Sequence, residues 1–156
     1  DLEDDTVICS GGMSVLAVQY NLTLMLARIT KVPDKSATSH EWALRAKMEK
    51  DPEGLWKTVT RDNGTENALH EETRKHYKVR SYFCDPYSSW QKGGVENLNG
   101  LIRQYFPRSL DLDQIPQEAV AVVEQMLNNR PRKKLNYLTP NQALDHFLLK
   151  RSQVVL

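Results

Sequence analysis

The sequence predicts a single mixed α/β domain, with hairpins first and crossovers later. Two observations carry that expectation. β-prone runs fill the first half of the chain and amphipathic helical runs fill the second. The 156 residues are 40% apolar and 26% charged, enough for one core beneath a solvated surface. The same composition excludes a disordered chain and a small disulfide-stapled scaffold. No apolar run approaches the roughly 20 residues that span a bilayer, and Asp1-Leu2-Glu3-Asp4-Asp5 is the opposite of a signal peptide. Cys9 and Cys84 lie far apart without CxxC or histidine spacing, which points to a reduced, intracellular protein lacking structural zinc.

Taken in order, Thr6-Val7-Ile8-Cys9 reads as a strand ending at the turn Ser10-Gly11-Gly12, and Ser14 to Val18 reads as its partner. Leu24 to Val32 is nearly continuous in apolar residues, as a strand covered on both faces would be. Pro33-Asp34 breaks it. Thr38-Ser39-His40-Glu41 has capping-box spacing and predicts a helix from Ser39 to Lys50. After the loop Asp51-Pro52-Glu53-Gly54, Trp56 to Thr60 reads as a strand, Glu66 to His76 as a helix and Val79 to Phe83 as a fifth strand. Beyond Pro86 the chain turns helical. Val95, Leu98, Ile102 and Tyr105 form one stripe, while Glu96, Asn99 and Arg103 share a second face. Pro116 opens a helix ending near Asn128, and a last helix follows Thr139-Pro140 toward Lys150. The order βββ-α-β-α-β-ααα contains no linker, so residues 1–156 form one domain.

Charge is distributed unevenly. Residues 1–85 carry 12 basic and 14 acidic groups, whereas residues 86–156 carry 9 basic and 6 acidic groups. A basic patch of this kind suits phosphate, and it also suits a plain solvated surface. Three acids stand out: Asp5 beside the first strand, Asp62 directly after the fourth, and Glu96 on a polar helix face. Strand ends facing a crossing helix can bring such carboxylates together, and hard oxygen ligands of this kind bind Mg²⁺ or Mn²⁺. Singly, each is ordinary. Asp62-Asn63-Gly64 is more often a turn than a site, and Glu96 alone reads as a solvated helix residue.

The neighbourhood is more specific. Asp62-Asn63-Gly64-Thr65-Glu66, then His70, then the unbroken run from Tyr82-Phe83-Cys84-Asp85-Pro86-Tyr87-Ser88-Ser89-Trp90 through Gln91-Lys92-Gly93-Gly94-Val95-Glu96-Asn97-Leu98-Asn99-Gly100 to Pro107 closely resembles bacterial insertion-sequence transposases of the IS-thirty family. The tail Leu127-Asn128-Asn129-Arg130-Pro131-Arg132-Lys133-Lys134-Leu135, with Thr139-Pro140, resembles that family too. So does the separation of 33 residues between Asp62 and Glu96.

The resemblance implies a ribonuclease-H-like fold, a mixed five-stranded sheet flanked by helices, that serves as an integrase-type catalytic core. It assigns an Asp-Asp-Glu triad to Asp5, Asp62 and Glu96, holding two Mg²⁺ ions (or Mn²⁺) for cutting element ends and joining 3′-hydroxyls to target DNA. It further implies a cytoplasmic protein without a membrane, DNA as partner, a homo-oligomer in the active complex, and helical DNA-binding segments that this core lacks. Lys92, Arg103, Arg108, Arg130, Arg132, Lys133 and Lys134 are the candidate phosphate contacts, with Asn97 and Asn99 beside the third acid. Tyr87 and Trp90 are candidates for base stacking or for buried loop anchors. His70 is a further candidate near the metals. A non-catalytic DNA-binding module and a simple metal-dependent nuclease of the same fold are the alternatives.

Overall fold

Strands β1 (Leu2–Ile8), β2 (Val15–Asn21) and β3 (Leu26–Val32) form an antiparallel meander in the computed structural model, which describes residues 1–62 and 70–154. Every residue of β2 is buried, as expected of a strand covered on both faces. β1 then pairs in parallel with β4 (Thr58–Arg61), and β4 with β5 (Arg80–Phe83), giving the order β3-β2-β1-β4-β5. The helices are α1 (Ala37–Lys50), α2 (His70–Tyr77), α3 (Gly93–Ile102), α4 (Gln117–Asn128) and α5 (Pro140–Val154). This is the mixed five-stranded sheet with flanking helices that the sequence predicts.

The alternation of side chains along the strands splits the core in two. On one face Val7, Leu16, Val18 and Ile29 meet Val95, Leu98 and Ile102 of α3 and Val120, Val123 and Leu127 of α4. On the other, Leu2, Leu26 and Val59 meet Leu44 and Met48 of α1 and Ala143 of α5. The outer edge of β3 is closed by polar side chains of α4. Gln117 accepts the backbone N–H of Lys31 at 2.9 Å, Glu124 that of Ile29 at 2.6 Å, and Asn128 that of Ala27 at 2.8 Å. These bonds satisfy donors that an open edge would offer to another chain.

Several boundaries differ from the sequence expectation, each for a local reason. β1 starts at Leu2 rather than Thr6, because its acidic residues find partners on both faces of the sheet. α1 is capped by Ser36, whose hydroxyl accepts from the Ser39 backbone N–H at 3.2 Å, an interaction worth about 1 kcal/mol. The capping box at Thr38–Glu41 does not form; Glu41 is buried instead. Pro116 stands just before α4 rather than inside it. Residues 66–69 of the expected second helix lie outside the described residues, as does the side chain of His70.

Candidate functional site

Adjacent residues of β1 point to opposite faces, and this separates Asp4 from Asp5. Asp5 faces α3. Its Oδ2 accepts from the Asn99 side-chain amide at 2.8 Å, and its Oδ1 lies 3.2 Å from the Lys92 ammonium. The same ammonium lies 3.4 Å from Oδ2 of Asp62, which follows β4 directly, and donates to the Asp4 carbonyl at 3.1 Å. Lys92 closes a short 3₁₀ turn, Ser89–Lys92, and Glu96 sits one turn further on in α3. Asp5, Asp62 and Glu96 line one cavity of about 440 Å³, together with Cys84, Asp85, Tyr87 and Lys92.

Glu3, two residues before Asp5 and so on the same face, anchors the start of α3 by accepting the Val95 backbone N–H at 2.6 Å. A carboxylate at a helix N-terminus also meets the positive end of the helix dipole. Gly94 lets Leu22 and Glu3 both pack against the start of α3, since a Cβ would stand 2.7 Å from the Leu22 side chain and 2.9 Å from the Glu3 carboxylate. The helix carrying Glu96 and Asn99, with Lys92 just before its first residue, is therefore fixed to the strand carrying Asp5.

Behind the cavity lies a sealed charge network. The Asp4 carboxylate is contacted by His40 Nε2 at 2.9 and 3.0 Å and by the Gln19 amide at 2.9 Å. Arg61 donates to Glu41 at 3.1 Å and lies 3.9 Å from Asp4. Arg61 is 0% exposed and His40 1%. Burial opposes the Asp4 charge, but His40, Arg61 and Gln19 together outweigh it and hold the carboxyl below its ordinary range. Burial pushes Glu3 up, against its bonds to the α3 backbone. For Lys92, burial works against the charge, and Asp5 and Asp62 overcome it, so the ammonium is held above its ordinary range. Burial also raises the Cys84 thiol, which disfavours the thiolate a nucleophilic cysteine needs.

Among the described residues, no three or more His, Cys, Asp and Glu side chains stand together as a ready metal-ligand group. The chemistry of the cavity nevertheless fits a hard divalent cation. Its acidic donors are carboxylate oxygens drawn from three elements, and the Asp5–Asp62 pair already accepts one cation, the Lys92 ammonium.

The other sequence-predicted residues divide by place. Asn97, Arg132 and Lys134 line a second cavity of about 400 Å³ beside the start of α3. Arg130, Lys133 and Arg108 are exposed. Arg103 is engaged, donating to the Ile8 carbonyl at 2.7 Å. Tyr87 is 101% exposed and Trp90 73%, so neither is a buried anchor. Sequence reasoning missed the anchoring by Glu3 and the network of Asp4, His40, Glu41 and Arg61. Only the placement of Glu3 and Asp4 on opposite faces of a strand could have signalled them.

The chain is similar to the transposase for insertion sequence element IS4351 of Bacteroides fragilis, with 38% identity over 97% of this chain and 46% of that protein. It is similar to transposase InsI for insertion sequence element IS30A of Escherichia coli K12, with 44% identity over 75% of this chain and 30% of that protein. The resemblance to IS-thirty transposases read from the residues is thereby borne out. The chain spans less than half the length of these curated relatives. No protein-family model matches it. Its fold is that of the catalytic core domain of BIV integrase, with a TM-score of 0.71 at 15% identity over 97% of both chains. A chain of the simian T-cell lymphotropic virus intasome in complex with PP2A regulatory subunit B56 gamma gives 0.74 at 18% identity, covering 92% of this chain and 53% of that one.

Proposed function

We propose that this chain is the catalytic core of an insertion-sequence transposase, performing divalent-metal-dependent phosphoryl transfer on DNA with Asp5, Asp62 and Glu96 as its acidic triad. The observation that carries the reading is that these three carboxylates, from three separate elements, line one cavity. Water attacks a phosphodiester at the element's end and frees a 3′-hydroxyl, which then attacks a phosphodiester of target DNA in line. Mg²⁺ or Mn²⁺ held by the three acids would supply activation of the attacking oxygen and charge stabilisation of the leaving one.

The remaining work is positioning. Asn99 fixes one oxygen of Asp5, and Glu3 fixes the helix that presents Glu96. Arg132 and Lys134, in the neighbouring cavity, supply positive charge for a second phosphate of the same DNA. We infer that the active assembly on element ends and target is a homo-oligomer.

One observation favours a second reading, a DNA-binding module without catalysis: the Lys92 ammonium lies between Asp5 and Asp62. A joining assay separates the two. The chain is incubated with Mn²⁺, a labelled duplex bearing a pre-cut 3′-end, and a plasmid target. Joined product that disappears in Asp62→Asn and Glu96→Gln is expected. Cutting without joining would identify a simple nuclease, and salt-sensitive DNA binding with neither reaction would identify the non-catalytic module.

A further inference from the structure

We propose that Lys92 is a resident counter-cation of the metal site, occupying the space between Asp5 and Asp62 until a divalent ion displaces it. The inference rests on the reading of this cavity as a metal site, and it assigns Lys92 a positioning role that phosphate contact alone does not require.

Geometry is the first support. A lysine ammonium has three N–H donors, and Lys92 has three oxygen partners within 3.4 Å: the Asp5 and Asp62 carboxylates and the Asp4 carbonyl. Its side chain is 6% exposed, against 22% for Asp5 and 45% for Asp62. A residue kept for phosphate would gain nothing from such burial. Without a cation, Asp5 and Asp62 would repel each other across the cavity; the ammonium, 3.2 Å from one and 3.4 Å from the other, offsets that repulsion.

Displacement follows from charge and reach. A divalent ion carries twice the charge of the ammonium and approaches carboxylate oxygens to about 2.1 Å. Oδ1 of Asp5 cannot face both cations. Oδ2 of Asp5 remains bonded to Asn99, so the carboxylate stays in place while the ammonium leaves. The four-carbon stem of Lys92 ends a short turn just before α3, so a change of side-chain rotamer carries the ammonium away without moving the helix.

The test compares the wild-type chain with Lys92→Met, which keeps the stem and removes the charge, and with Asp62→Asn. Mn²⁺ affinity is read by titration calorimetry. The hydrogen-bonded ammonium is read by ¹⁵N NMR, its signal assigned by its loss in Lys92→Met. Lys92→Met is expected to bind Mn²⁺ about tenfold more tightly, the scale on which removing a competing charge acts. Its metal-free melting temperature should fall below that of the wild type, with the gap narrowing in saturating metal. Saturating Mg²⁺ should abolish the Lys92 ammonium signal of the wild-type chain. If Asp62→Asn loses Mn²⁺ binding while Lys92→Met binds like the wild type, or if the ammonium signal survives Mg²⁺, the counter-cation role is overturned and the metal site stands. If Asp62→Asn binds Mn²⁺ like the wild type, or no variant binds it, the metal-site reading falls and this proposal falls with it.

Discussion

Asp4 and Asp5 are adjacent aspartates on one strand, yet they occupy opposite environments. The side chain of Asp4 is 1% exposed and closed in by His40, Gln19 and Arg61, whereas Asp5 opens on a cavity shared with Asp62 and Glu96. Arg61 and Asp62 repeat the division at the end of the neighbouring parallel strand, the last strand residue sealed and the one after it accessible. Strand alternation thus turns each pair of charged neighbours into a scaffold charge and a site charge. The sealed member fixes the backbone from which the accessible one projects, and a site on rigid strands keeps its geometry better than one on loops.

The largest expected effect falls on the sealed side. Arg61→Met leaves Asp4 and Glu41 buried with part of their compensation gone, and should cost about 3–5 kcal/mol in urea unfolding. A loss below about 1 kcal/mol would mean that the network is not a closed unit.

The pH dependence of stability sharpens the same contrast. The folded-state value of Asp4 lies below its unfolded value, so its contribution is complete above the ordinary carboxylate range and disappears as pH falls through the depressed value. Glu3, on the cavity face, is shifted the other way. Its contribution is complete below the ordinary range and is lost as pH rises through the raised value. Asp4→Asn should therefore flatten the acid limb of a stability–pH profile, while Glu3→Gln should remove the loss just above it. Both variants following the same limb would erase the distinction between the faces.

Asp5→Asn reverses the profile expected of Arg61→Met. It loses a partly buried contact to Lys92 that Asp62 still shares, so unfolding should change by about 1–2 kcal/mol, whereas the proposed joining reaction should vanish. The smallest effect on stability, within about 0.5 kcal/mol, belongs to the exposed Lys133 and Lys134; Arg132 is half-buried and donates to the Leu127 carbonyl at 3.2 Å. Replacing Arg132, Lys133 and Lys134 with glutamate should instead weaken DNA binding for all sequences alike. The slope of log K against log salt should shrink by roughly 0.9 for each phosphate that is no longer neutralised. An unchanged slope would make the patch a solvated surface.

Much of this arrangement was legible in the chain itself. β-prone runs marked the five strands, the first of them only from Thr6, the stripe of Val95, Leu98 and Ile102 marked the buried face of α3, and the second stripe put Glu96, Asn99 and Arg103 together. What stayed hidden depended on partners remote in sequence. Glu3 and Asp4 looked like an acidic terminus because Val95 and His40, which accommodate them in β1, lie 92 and 36 residues away. Glu41 satisfied a local capping pattern, but Ser36 capped the helix and Arg61 drew the glutamate inward. Lys92 read as a candidate phosphate contact. Only the folded chain brings Asp5 and Asp62 to its ammonium.

Divalent-metal binding by Asp5, Asp62 and Glu96 together is open to direct test by anomalous diffraction from a crystal soaked in Mn²⁺. Anomalous peaks are expected in the cavity, coordinated by these three carboxylates, with the Lys92 ammonium withdrawn from between Asp5 and Asp62. A cavity without an anomalous peak, with Lys92 still bridging the two aspartates at saturating Mn²⁺, would contradict it.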